Sequence, residues 1–241
     1  WICMYTIESR VRYSECDETG KLSLVGVMNY LQDCSTFHSE DIGRGFKQLT
    51  SEGYAWVLAT WQIQVDRLPQ FGEKICVGTW SYQMKGLQAS RSFVINDADG
   101  TNIVKADSTW YLMDIKEGKA ARVPESESIY ITGEPRVDLP PTPRKIALEG
   151  NAVDGPAILV SQQHLDTNKH VNNAQYVLMA VDTLVALGYF HKLRRIVVQY
   201  RSQARLGDTI TPQVYTDETG FSVVLKDAES STVFATVRLE G

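Results

Sequence analysis

Apolar and polar residues alternate along four consecutive stretches in the first half of the chain, 56–66, 73–83, 88–96 and 102–113, and along four more in the second, 194–203, 208–216, 220–227 and 231–239. A period of two predicts strands. The turn residues between them, clearest at 97–100 and 217–220, predict antiparallel hairpins. Ahead of each set the period becomes helical. Leu24, Val27, Met28, Leu31, Cys34 and His38 form one stripe, and Ala174, Val177, Leu178, Val181, Leu184 and Val185 form another that stops at Gly188. Residues 43–53, with Gly43, Gly45, Ser51 and Gly53, read as a loop, and 158–160 as a short strand.

The same order of elements therefore occurs twice, which is the mark of an internal duplication. VDRLPQFGEKI at 65–75 aligns without a gap to YRSQARLGDTI at 200–210, and DETGKLSLVGVMNYLQDC from Asp17 aligns to DTNKHVNNAQYVLMAVDT from Asp166. Six of the eight prolines (Pro124, Pro135, Pro140, Pro141, Pro143 and Pro156) fall in a stretch with no periodicity, which reads as a linker. The expected organisation is a first domain over 1–123, a linker over 124–156 and a second domain over 157–241. One long helix with an antiparallel sheet, repeated, predicts an α+β chain of two tandem hotdog domains, each a sheet wrapped around its helix.

Composition narrows the function classes. A chain of 241 residues, 43% hydrophobic, can bury a real core, and its net charge of -5 argues against a nucleic-acid surface. No apolar run is long enough to span a bilayer, and the opening residues do not read as a secretory or transit segment. Cys3, Cys16, Cys34 and Cys76 match no zinc spacing, so free thiols in a reducing, cytoplasmic setting are expected. The four histidines, His38, His164, His170 and His191, form no metal motif, and no glycine-rich phosphate loop follows a strand. No metal and no cofactor are expected.

Chemistry concentrates in ILVSQQHLDTNKHVNNAQYVL at 158–178. Asp166, Asn168 and His170 stand at alternate positions, so in an extended segment they project to one side and can converge on one substrate atom. Asn172 or Asn173 can cap the helix that follows, leaving first-turn N–H groups to face a developing oxyanion. An acid, an amide and an imidazole at a helix mouth suit acyl transfer.

In LDTNKHVNN, MNYLQDC, AWVLATWQIQVDRLPQFGE with Trp80 shortly after, and QYRSQARLGD, the sequence resembles the acyl-ACP thioesterases. The likeness covers nearly the whole chain. It implies tandem hotdog domains, hydrolysis of fatty acyl thioesters on acyl carrier protein to free fatty acid, and Asp166, Asn168 and His170 as catalytic residues. Where the plant pattern carries a Glu-Cys pair after the tyrosine, this chain reads Tyr200, Arg201, Ser202, Gln203, Ala204. No thiol stands there, so a covalent cysteine mechanism at that position is excluded; Gln203 can orient a water but cannot take a proton. Proton transfer then falls on Asp166 or His170.

In the first half Asp17, Thr19 and Lys21 occupy the matching positions, so that half is expected to be catalytically silent. All five tryptophans lie before residue 111, and Met28, Leu31, Phe37 and Trp56 are the candidate lining of an acyl-tail pocket. His191, Lys192, Arg194 and Arg195 offer a cationic rim for an acidic carrier. Coenzyme A esters as substrates, and a non-catalytic acyl-thioester sensor, are the rival readings. An enoyl hydratase is disfavoured because its Asp-x-Asn-Pro-x-His pattern is not matched. Tandem halves can pair within one chain, so a monomer and a homodimer both fit.

Overall fold

Ser23 starts the first helix by accepting the Gly26 N–H at 3.0 Å, and the apolar stripe then runs through α1, Leu24–Asp41. Val27, Met28, Leu31, Cys34 and His38 are buried as the spacing predicts. Phe37 is not. Lying roughly 100° around the helix from His38, it is 52% exposed. The computed structural model describes residues 4–189 and 193–241, which divide into two compact units, 1–140 and 141–241.

In the first unit the strands are β1 (Tyr5–Arg10), β2 (Tyr54–Val65), β3 (Lys74–Lys85), β4 (Gln88–Asn96), β5 (Asn102–Asp114) and β6 (Lys119–Ala120). They pair antiparallel in the order β1-β3-β4-β5-β2, with β6 on β5. In this unit the expected strand limits hold to within two residues, whereas in the second the strand expected over 194–203 stops at Tyr200. β1 and the short helix α2, Phe46–Ser51, are additions: α2 replaces part of the expected 43–53 loop and buries only Leu49. The long helix α1 packs on β1, β3 and β4. Residues paired across strands share a face, so Trp61, Ser108 and Arg91 lie in one row on the side that bears Thr79 and Phe93. Each large apolar side chain sealed there, such as Leu31 or Phe93, contributes about 1.5–3 kcal/mol.

The proline-rich stretch departs from the linker expectation. Trp80 Nε1 donates to Pro135 O at 2.8 Å, Arg136 Nε to Asp107 at 2.8 Å, the Val137 N–H to Ser92 Oγ at 3.0 Å and Gln62 Nε2 to Pro140 O at 3.1 Å. Val137 and Leu139 pack on Trp80 and Val94. In the second unit Gln199 donates to Pro143 O at 3.1 Å and accepts the Ile146 N–H at 3.2 Å, and Ile146 is buried. Periodicity is lost because side chains of the sheet, not a neighbouring strand, satisfy this backbone. The division of the chain into its two compact units falls inside the stretch, between Pro140 and Pro141.

The second unit contains β7 (Val153–Asp154), β8 (Ile158–Leu159), α3 (Asn173–Ala186), β9 (Arg195–Tyr200), β10 (Thr209–Asp217), β11 (Gly220–Asp227) and β12 (Val233–Glu240). Its order is β9-β12-β11-β10, with β7 and β8 both on β10, and α3 packs on β10, β11 and β12. That is the plan of the first unit again. α3 buries Ala174, Tyr176, Val177, Met179, Ala180, Thr183 and Leu184, whereas Leu178 and Val185 from the expected stripe are exposed. Apolar residues on both sides of this helix make its buried face hard to read from spacing alone.

A polar cluster ends the core of the first unit. His38 accepts from Arg91 Nη1 at 3.0 Å and stacks on Tyr5, with Tyr130 edge-on to it. Burial first, then the Arg91 charge, pull the His38 pKa down to about 4, against a smaller opposing pull from Asp41. Between that value and the ordinary histidine value the unfolded chain holds a proton that the folded chain does not, so stability falls as pH drops from about 6.5 through about 4. The loss is roughly 3 kcal/mol at most. We expect thermal unfolding midpoints to fall across this window, and His38→Gln to flatten the slope; an equally steep slope in the variant would remove His38 as its cause.

Candidate active site

Asp166, Asn168 and His170 sit in a tight turn and not in the extended segment that their alternation suggested. Asp166 Oδ1 accepts the backbone N–H groups of Asn168 at 2.8 Å and His170 at 3.3 Å, while the Asp166 N–H donates to His170 O at 2.8 Å. A carboxylate that satisfies nearby amides folds the chain back on itself. Lys169 takes the left-handed conformation, φ 62, the only described non-glycine residue with positive φ. Holding a side chain there costs roughly 1 kcal/mol or more. The first unit builds the same turn without that cost: Asp17 Oδ1 accepts from Thr19 and Lys21, and Gly20 stands in the left-handed position with φ 76.

The turn is docked on its flank. The Val171 N–H donates to Ala204 O at 2.9 Å, the Ala204 N–H to Tyr176 Oη at 2.9 Å and Tyr200 Oη to Asn173 O at 3.0 Å. His170 bridges Arg205 in the backbone. The 203–205 segment and the turn are thereby held side by side, with Gln203 exposed at the edge. Tyr176 and Tyr200, 6.0 Å apart between ring centroids, are positioning residues that the sequence reading passed over. Their signal was two aromatic hydroxyls flanking the motif.

Asn172 is the residue that caps α3, its Oδ1 accepting the Ala174 N–H at 2.9 Å; Asn173 opens the helix instead. His170 is half-buried, and its Nδ1 is sealed from solvent with no hydrogen-bond partner among the described residues. Asn168 is exposed. The arrangement thus offers an anchored carboxylate, an imidazole with an unused ring nitrogen and a capped helix N-terminus. Among the described residues no cluster of three or more potential metal ligands occurs.

Of the candidate tail residues, Met28 and Leu31 are buried and Trp56 is half-buried, donating to Glu127 at 3.3 Å. In the expected cationic rim, His191 and Lys192 lie outside the described residues, and Arg195 pairs with Glu240 at 2.8 Å. No described helix is long and apolar enough to cross a membrane. Burial pushes the Cys34 thiol up to about 12, and it raises Cys76 as well. We therefore expect alkylating reagents to label half-exposed Cys16 long before Cys34 or Cys76, with turnover preserved. Mass spectrometry alongside activity checks this; inactivation in step with Cys34 labelling contradicts it.

A helix on an antiparallel sheet, built twice in one chain, defines a tandem hotdog protein. The family description "Acyl-ACP thioesterase N-terminal domain" matches residues 3–130, and "Acyl-ACP thioesterase C-terminal domain" matches 156–238. The chain belongs to the acyl-ACP thioesterase family. Its structure is similar to that of an acyl-ACP thioesterase from Bacteroides thetaiotaomicron, with a TM-score of 0.88 and 27% identity over 98% of this chain and 97% of that one. Among curated proteins it is 30% identical to a chloroplastic palmitoyl-acyl carrier protein thioesterase of Cuphea hookeriana, over 69% of this chain and 43% of the relative. It is 24% identical to one of the same description from Arabidopsis thaliana, over 80% of this chain and 50% of the relative. The chain spans about half the length of the curated relatives it matches.

Proposed function

We propose that this chain hydrolyses the thioester of fatty acyl groups carried on acyl carrier protein and releases free fatty acid, within a reducing, cytoplasmic compartment. The observation that carries this reading is the asymmetry of the duplicated turn. The second unit keeps Asp166, Asn168 and His170, with a ring nitrogen unpartnered among the described residues, where the first has Asp17, Thr19 and Lys21.

Asp166 holds the turn through Oδ1, which favours it as the anchor and His170 as the base. With Nδ1 sealed from solvent, His170 takes a proton from water on Nε2 as the water oxygen attacks the thioester carbon. Asn168 and the N–H groups at the start of α3, ordered by Asn172 and Asn173, stabilise the oxyanion. The carbon–sulfur bond then breaks, and the leaving thiolate recovers the proton from the imidazolium. Gln203 orients the water. Met28, Leu31 and Trp56 contribute to the tail pocket in a first unit that does no chemistry; the exposure of Phe37 speaks against a place for it there.

The test is a turnover screen over acyl carrier protein and coenzyme A esters of graded chain length. Carrier-linked esters are expected to show the higher kcat/KM. Turnover of coenzyme A esters alone would transfer the reading to that substrate class, and no turnover of either would overturn it.

A further inference from the structure

Arg91 is a charged side chain inside the first unit, only 7% exposed, and among the described residues no carboxylate lies within ion-pairing distance of it. The buried acids of the first unit are committed elsewhere: Glu127 to Arg44, and Asp107 to Arg136. A guanidinium this deeply buried without a counter-charge is expensive. Its Nη1 donates to His38 Nδ1 at 3.0 Å and to Thr79 Oγ1 at 3.3 Å, and its carbon lies 5.2 Å from the Tyr130 ring centroid. Nε and Nη2, the edge of the fork that matches a carboxylate, donate no hydrogen bond among the described residues. On the same sheet face, two strands away across Ser108, Trp61 Nε1 is a fully buried donor with no partner among the described residues. Burial draws the Arg91 pKa down to about 10, which leaves it cationic at neutral pH.

Leu31 and Cys34 precede His38 on the buried stripe of α1, so this polar group ends an apolar wall. An apolar wall ending in a cation suits an amphiphile. We propose that Arg91, backed by His38, Thr79 and Tyr130, is a binding site in the first unit for the carboxylate of an aliphatic acid. The proposal goes beyond the hydrolysis reading, and its binding does not depend on turnover. The carboxylate has two possible sources: a free monocarboxylic acid, which is the product of the proposed reaction, or the far end of an acyl chain carrying a second carboxyl group.

The experiment is equilibrium titration of the full chain with a medium-chain saturated acid and with the primary alcohol of the same length. The acid is expected to bind roughly ten- to a hundredfold more tightly, and the preference to vanish in Arg91→Met without weakening the alcohol. Equal affinity for acid and alcohol in the wild type, or a preference that survives Arg91→Met, overturns the site. If Arg91→Met does not fold, carbon-13 resonance of the bound, carboxyl-labelled acid in the wild type decides: a carboxylate beside the guanidinium titrates below the free acid, and one that titrates with it or above it ends the proposal. Repeating the titration on Asp166→Ala separates this site from the hydrolytic reading, since binding there must persist. To identify the source, thioesters with and without a terminal carboxyl are compared. A lower KM for the carboxylated ester, lost in Arg91→Met, assigns the site to the substrate tail; equal KM values alongside tight acid binding assign it to the product.

Discussion

His170→Ala should lower thioester turnover by a hundredfold or more, with the far-ultraviolet circular dichroism unchanged. The backbone N–H and C=O of residue 170 hold the turn against Asp166, and both survive the substitution. Only the imidazole is lost, and general-base catalysis is worth roughly a hundred- to ten-thousandfold. Asp166→Ala is a less clean experiment, because it removes the carboxylate that accepts two backbone amides and so perturbs the turn itself. Lys21→Ala in the matching turn should leave kcat near its original value. A His170→Ala protein that keeps more than about a tenth of wild-type turnover cannot have lost its base.

Glu127→Ala should destabilise the first unit by about 3 kcal/mol or more, read from denaturant unfolding. Glu127 is fully buried, accepts from Arg44 Nε at 2.8 Å and from Trp56 Nε1 at 3.3 Å, and its removal strands both donors. Breaking a buried pair from one side costs about 3–5 kcal/mol. Arg44 keeps its two bonds to Glu52, at 2.8 and 2.7 Å, which places the expected value at the lower end. Glu52→Ala, at the surface, should cost much less. Equal losses from the two variants would show that the interior pair holds nothing special.

Much of this fold is written in the sequence because the strands are half-buried, so alternation reports their faces directly. Asp97 and Asp217, each accepting backbone amides in a turn that contains a glycine, mark their hairpins for the same reason. Faces were legible on α1 and less so on α3, where Leu178 and Val185 are apolar yet exposed. β1 alternates as clearly as any strand, with Tyr5, Ile7 and Ser9 half-buried and Thr6, Glu8 and Arg10 exposed, but only two of its inward residues are apolar or aromatic. α2 is too short to show a period. The residues of the candidate site could be picked out from their types, whereas their geometry could not: the side chain of Asp166 bonds its own backbone and turns an apparent extended segment into a loop. Arg91 gave no signal at all, since an arginine in a strand is ordinarily read as facing water.

The duplicated strand order carries an evolutionary consequence. When two identical halves meet as a symmetric homodimer, every substitution appears in both, and neither copy can drift alone. Joining the halves in one gene removes that constraint. Selection can then retain histidine at position 170 while allowing lysine at position 21, and can admit a buried arginine without a carboxylate partner into one interior while the buried Arg238 of the other keeps Asp217 and Glu240.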